Sequence, residues 1–293
     1  MKLHQGWRRL TPYGLVLPSV IVMCLIMLYP FVKTVEFSLR DYTLYSSHRP
    51  FVGLANFAKV MKAEWFGVVF KNTLAWSFWS MLFQMIMGLS VALFLHRPIP
   101  GARVVRSLVL LPWVMPGVVV STIWPMLLSP LFGPVNDALL RLGLIQEPIT
   151  FLGNIRTAMP SVISANVWSG FPFWVLMVTA GLQNIPDELY EAAAIDGANK
   201  WQQFRYVTLP HLSLILNITA VLSFIWSFNN LTLIFVMTKG GPLYFTRTMP
   251  LQIYFSGFQQ HQIGQASALA VITFVFIAVA VFSYLRMTRR QEM

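Results

Sequence analysis

Residues 191–210 read EAAAIDGANKWQQFRYVTLP, a polar interruption between two strongly apolar parts of the chain. Residues 186–196, which overlap its start, predict a short helix. Pro186 suits a first helical turn, Asp187, Glu188 and Glu191 favour the partly positive N-terminal end, and the alanines favour helix. Gly197 suits the left-handed position just past a helix end. Asn199 is an N-cap candidate for a second short helix reaching about Val207, and Pro210 is expected to stop it. Composition alone leaves two readings open: a loop lying on lipid, or a segment that the rest of the chain holds and moves.

The rest of the chain is strongly apolar. Of 293 residues, 56% are hydrophobic and 11% charged, whereas a soluble domain carries about a quarter charged residues. The membrane is therefore the expected solvent. Cys24, the one cysteine, lies in an apolar run; it permits no intramolecular disulfide and argues against a metal site. The formal net charge is +11, but Lys and Arg are scattered through loops rather than gathered in a stripe. Membrane topology accounts for them better than nucleic acid does.

Six apolar runs, about residues 12–32, 66–95, 107–128, 159–182, 212–237 and 263–285, predict an all-α membrane protein with one transmembrane domain over 12–285. A short N-terminal segment (1–11) and a tail (286–293) flank it. The first run is too long for a signal-peptide core and no small-x-small cleavage site follows. Pro112, Pro116 and Pro125 break the third run, so that helix is expected to be interior and irregular. Residues 33–64 are expected to form a loop with little core of its own. Basic residues cluster at Lys2, Arg8 and Arg9, at Arg97, Arg103 and Arg106, and at Arg286, Arg289 and Arg290. By density they place both termini and the 186–210 segment in the cytoplasm, although Arg40, Lys59, Arg141 and Arg247 lie in the opposite loops.

Of Asp, Glu, Lys, Arg and His, only Lys71 lies inside these runs. Ion-coupled carriers commonly need such groups at membrane depth. No GxxxxGK[ST] phosphate loop is present, nor a nucleophile triad or metal-ligand set. A passive pathway driven from elsewhere is expected, not an enzyme, with no cofactor or metal of its own. Two helix faces carry neutral polar groups at helical spacing: Asn166, Gly170 and Phe173, then Ser223, Trp226, Ser227 and Asn230. Amide, hydroxyl and aromatic groups on one face suit a sugar. They equally suit interhelical hydrogen bonds, worth about 0.6–2 kcal/mol each. Gly264/Ala268 and Ala266/Ala270 in the sixth run are small-xxx-small pairs that permit close helix approach.

The opening stretch also carries a spaced pattern: Glu191-Ala192-Ala193, three residues, Gly197, nine residues, Val207, one residue, Leu209-Pro210. It resembles the signature of the membrane subunits of binding-protein-dependent ABC importers, with Val207 where that family usually has Ile. The resemblance implies a type I importer permease core of six helices. It also implies that Glu191, Ala192, Ala193, Asp196, Gly197, Leu209 and Pro210 form the coupling segment that docks on an ATPase subunit. Residues 166–173 (NVWSGFPF), Ser227-Phe228-Asn229-Asn230, Leu233-Ile234 and Gly240-Gly241-Pro242 are similar to carbohydrate-uptake members, the larger maltose-transporter permease among them. That likeness implies sugar contacts at Asn166, Gly170, Phe173, Ser223, Trp226, Ser227 and Asn230. Ser227 stands for an Asn there and Phe173 for a Tyr, so the sugar need not be maltose. The extra N-terminal helices and large external domain of that relative have no counterpart here, as in the shorter permeases for glycerol-3-phosphate and oligosaccharides. The implied partners are a second homologous permease, two ATP-binding cassette subunits carrying ATP and Mg, an extracytoplasmic solute-binding protein and membrane lipid, with no nucleic acid. The implied setting is a bacterial or archaeal cytoplasmic membrane. An acidic saccharide, a sugar phosphate or another small polar solute is the alternative cargo, and an ion-coupled carrier the alternative class.

Overall fold

The computed structural model describes residues 15–97 and 100–289. Lys2, Arg8, Arg9 and Arg290, and with them segment 1–11, lie outside the described residues. Those described are helical apart from loops and one isolated bridge between Arg40 and Phe51. Five helices are long and apolar enough to cross a membrane, and a sharply bent pair supplies a sixth candidate. The chain divides into two compact units.

The first unit runs up to Ala63 and includes Gln252–Phe276. Helix α1, Leu15–Ser38, extends past the expected end of its span. All its residues from 15 to 32 are exposed. A five-residue π turn, Cys24–Leu28, precedes Pro30, and the Tyr29 amide bonds back to the Cys24 carbonyl. Proline has no N–H, and its ring crowds the carbonyl four residues back; a wider turn just before it relieves both problems. Loop 39–54 is better ordered than its composition suggests. Asn56, buried on α2 (Ala55–Lys62), donates to the carbonyls of Ser38 and Arg40 at 2.9 and 2.8 Å. From the other side the Gly264 amide reaches the Tyr42 carbonyl at 2.9 Å. A Cβ at Gly264 would overlap the Arg40 carbonyl, so this glycine serves a helix–loop contact.

The second unit comprises Glu64–Leu251 and Ile277 onward. Its backbone is the crossing of α3 (Glu64–His96) with α7 (Ile155–Leu182). Two glycines set that crossing. A Cβ on Gly88 of α3 would overlap Trp174, and one on Gly170 of α7 would overlap the Gln84 side chain. Below, Ala92, Phe171, Val175, Val178, Leu182, Ile185 and Leu212 form an apolar core.

The third span does not cross as one rod. Helices α4 (Ala102–Val114) and α5 (Gly117–Leu127) meet at a 96° bend. Met115 before Pro116 is extended, as pre-proline sterics require, and Pro116 itself has ψ 135°. After α6 (Pro134–Arg141), loop 142–154 is tied down by buried Asn136, which donates to the Ile149 carbonyl and accepts from its amide.

Pro210 does not end a helix. After α8 (Asp187–Ile195), one helix, α9, runs from Lys200 to Asn229. It absorbs Pro210 through a second π turn, Phe204–Thr208, in which the Leu209 amide bonds to the Phe204 carbonyl. The expected fifth span is instead broken at Asn230. There the backbone leaves the helix (φ −74°, ψ 93°), and the Asn230 side chain caps α10 (Leu231–Thr238) by accepting from the Leu233 amide. Helix α11 (Met249–Tyr254) and α12 (Ile263–Arg289) complete the chain.

Candidate functional site

Both helix breaks line one cavity of about 190 Å³ in the second unit. Pro112, Trp113, Met115 and Gly117 come from the α4–α5 bend, and Asn230 and Leu233 from the α9–α10 break. Irregular backbone at membrane depth is stable only where protein or a polar cavity satisfies it. The break at Asn230 meets that need. The Ser227 carbonyl accepts from the Asn230 amide at 3.1 Å and from the indole Nε1 of buried Trp76 at 2.7 Å.

All seven residues nominated as sugar contacts line this cavity, but they do two different things. Asn166, Ser223 and Ser227 are buried and hydrogen-bonded between helices. Asn166 Nδ2 donates to Ser227 Oγ at 3.0 Å, and its Oδ1 accepts from Asn230 Nδ2 at 3.4 Å. Ser223 Oγ accepts from Trp174 Nε1 at 3.2 Å and donates to Gln84 Oε1. These groups hold α7 against α9. Phe173 and Trp226 form an aromatic wall, centroids 4.9 Å apart, which Trp113 extends at 5.8 Å from Phe173. Trp226 is half exposed, so its ring is open to a ligand. The helix-bonding reading thus accounts for Asn166, Ser223 and Ser227, whereas Phe173 and Trp226 present rings to the cavity.

Gln84 was absent from the sequence-derived set. Its Nε2 donates to the Asn166 carbonyl at 2.9 Å, and it lines the same cavity. The signal was present: Gln84 is the one carboxamide between Asn72 and the end of α3. Trp113 and Ser169 were also missed.

The nominated coupling residues lie elsewhere, Glu191 to Gly197 on and just after α8 and Leu209 and Pro210 in the first part of α9. Pro186 is the N-cap of α8 rather than part of its first turn, with Asp187 and Glu188 at the positive end. Gly197 takes φ +83°, and the Ala198 amide bonds to the Ala193 carbonyl at 2.9 Å, closing the helix end. Asn199 and Gln202 then form a reciprocal capping box at the start of α9. Glu191, Ala192, Asp196, Gly197 and Pro210 are exposed; Ala193 and Leu209 are half-buried. Around them Ile195, Trp201 and Tyr206 expose large apolar side chains. The segment is anchored from beneath: Tyr190 and Val207 pack on the apolar core, and the Tyr190 hydroxyl meets Thr208 Oγ1 at 2.9 Å.

Membrane-crossing helices, a cavity built on two broken helices and an exposed apolar knuckle are the arrangement of a membrane transport subunit. Among the described residues no group of three or more His, Cys, Asp or Glu could hold a metal ion. The chain belongs to the family described as binding-protein-dependent transport system inner membrane component, which matches residues 84–292. It is 34% identical over 277 residues to the trehalose/maltose transport system permease protein MalF of Thermococcus litoralis, covering 94% of this chain and 93% of that one. It is 31% identical over 291 residues to the diacetylchitobiose uptake system permease protein DasB of Streptomyces coelicolor, covering 97% and 88%. A chain of the bacterial alginate ABC transporter, solved in complex with its alginate pentasaccharide-bound periplasmic protein, superposes with a TM-score of 0.84 at 25% identity. It covers 99% of this chain and 98% of its own. The protein is an inner-membrane permease subunit of an ABC importer.

Proposed function

We propose that this permease moves a sugar or oligosaccharide through the cavity between α7 and α9 by alternating access. The convergence of the two predicted helix faces on one cavity with a three-ring aromatic wall carries this reading. Aromatic faces stack on the apolar side of a pyranose, and Asn and Ser groups match its hydroxyls. The named cargoes of the similar proteins, trehalose/maltose, diacetylchitobiose and alginate, are all saccharides. None of the cavity-lining residues is ionisable, which favours a neutral sugar over an acidic one, because an unpaired carboxylate is costly to bury.

The motive force comes from two ATP-binding cassette subunits, which carry the ATP and Mg, and a second homologous permease completes the pathway. An extracytoplasmic binding protein delivers the sugar. The knuckle from Asp187 to Pro210 receives the push: its exposed Ile195, Trp201 and Tyr206 suit an apolar groove on the ATPase, and Glu191 has an exposed carboxylate to pair there. Both termini then lie in the cytoplasm. The test is saccharide-stimulated ATP hydrolysis by the complex reconstituted in proteoliposomes with its binding protein, together with labelling of Lys200 from either side. Stimulation by saccharides and labelling from the ATPase side alone are expected. A complex indifferent to every saccharide, or Lys200 labelled from outside, would refute the assignment.

A further inference from the structure

We infer that Gln84 is an internal competitor for the cargo: its carboxamide occupies hydrogen bonds that a sugar must take over, so that cargo binding releases one polar tie of α3 to α7 and α9. The inference rests on the sugar reading above. A hydroxyl has one hydrogen to donate, and that of Ser223 is committed to Gln84 Oε1. The other end of the same carboxamide donates to the Asn166 carbonyl at 2.9 Å. Gln84 therefore bridges the two helix faces that line the cavity while itself belonging to α3. The slot it fills exists because residue 170 is glycine; a Cβ there would overlap the carboxamide nitrogen. Gln84 is 4% exposed yet belongs to the cavity wall.

A carboxamide presents one acceptor and a donor side by side. Two neighbouring sugar hydroxyls present the same pair. Ser223 can donate to a pyranose stacked on Phe173 and Trp226 only by breaking its bond to Gln84, because its single hydrogen is held there. Exchange of one polar pair for another is nearly neutral, whereas leaving either buried group unpaired is costly. Gln84 thus keeps the site satisfied and couples its occupancy to the tie between α3 and its neighbours. The Gln84 side chain is a positioning residue, acting through Ser223 and the residue-166 carbonyl.

The test uses the reconstituted complex with its binding protein and whichever neutral disaccharide or trisaccharide best stimulates wild-type ATP hydrolysis. Gln84→Leu keeps the bulk and removes the competing pair. The expected result is a saccharide KM lowered about five-fold, the scale of one neutral hydrogen bond, with substrate-free hydrolysis raised severalfold. Damage to packing alone would lower kcat without lowering KM. In Gln84→Glu the carboxylate still accepts from Ser223 but cannot donate to the residue-166 carbonyl until it is protonated. Substrate-free hydrolysis of this variant should therefore fall back toward the wild-type rate as pH is lowered. If the leucine variant does not assemble, that pH profile decides, and a profile parallel to wild type overturns the inference. Unchanged KM and substrate-free hydrolysis in Gln84→Leu, in a complex that saccharides do stimulate, overturns the inference alone. A wild-type complex that no saccharide stimulates overturns the sugar reading and this inference together.

Discussion

The hydroxyls of Tyr190 and Thr208 meet at 2.9 Å, joining the exposed helix α8 to the first turns of α9 across eighteen residues of chain. The Tyr190 ring packs on the apolar core beneath. Under the proposed function, a push on the knuckle would reach the bundle through this contact. Tyr190→Phe keeps the ring and removes the bond, which is worth about 1 kcal/mol. The expected outcome is normal assembly with fewer sugars moved per ATP, and Thr208→Val should behave alike. Parallel measurement of uptake and hydrolysis checks this; an unchanged ratio in both variants would remove the contact from the coupling route.

Gly197 sits at φ +83° with open space where a Cβ would go. Substitution there strains only the backbone, by roughly 1–2 kcal/mol for an ordinary residue. Gly197→Ala should therefore insert and assemble but lose most coupled uptake, while Gly197→Asn, which tolerates the left-handed region, should retain more. Equal uptake by the two would show that this conformation is irrelevant to coupling.

Asn166 satisfies Ser227 and Asn230 together. Asn166→Ala orphans buried Ser227 and should cost about 1–3 kcal/mol, read as a lowered unfolding midpoint in detergent. Ser164→Ala on the exposed side of the same helix, where the hydroxyl bonds only to the Pro160 carbonyl, should leave that midpoint nearly unmoved.

Gly88 allows α3 and α7 to touch. Gly88→Ala forces a methyl into Trp174 and the Phe171 carbonyl, an overpacking expected to cost about 1–3 kcal/mol. Gly67 on the same helix has nothing near its Cβ position, so Gly67→Ala is the control and should be neutral or mildly stabilising. Equal unfolding midpoints in the two variants would show that Gly88 is not needed for the crossing.

The membrane helices were legible because lipid leaves a crossing segment few alternatives to an apolar helix. The cavity faces were legible because helical spacing is regular: Asn166, Gly170 and Phe173 must share a side, as must Ser223, Ser227 and Asn230. What escaped was where helices break and where they do not. The apolar run continues past Asn230 without a mark, and only the tertiary bonds from Trp76 to the Ser227 carbonyl and from Asn230 to Leu233 show that the chain turns there. Pro210 misled in the opposite sense, because no residue pattern announces the π turn that accommodates it. Pro116 was visible as a breaker, but its 96° bend was not. Gln84 escaped because its role depends on a glycine eighty-six positions away on another helix.

The extra residue held in the Phe204–Thr208 turn has a geometric consequence for the cavity. An α-helix advances about 100° per residue, so this surplus sets the angular phase of everything after it. Deleting one residue there would restore an unbroken spiral and swing Ser223 and Ser227 roughly a quarter-circle away from Asn166. A proline near the start of α9 thus keys the azimuth of polar groups several turns further along the same rod.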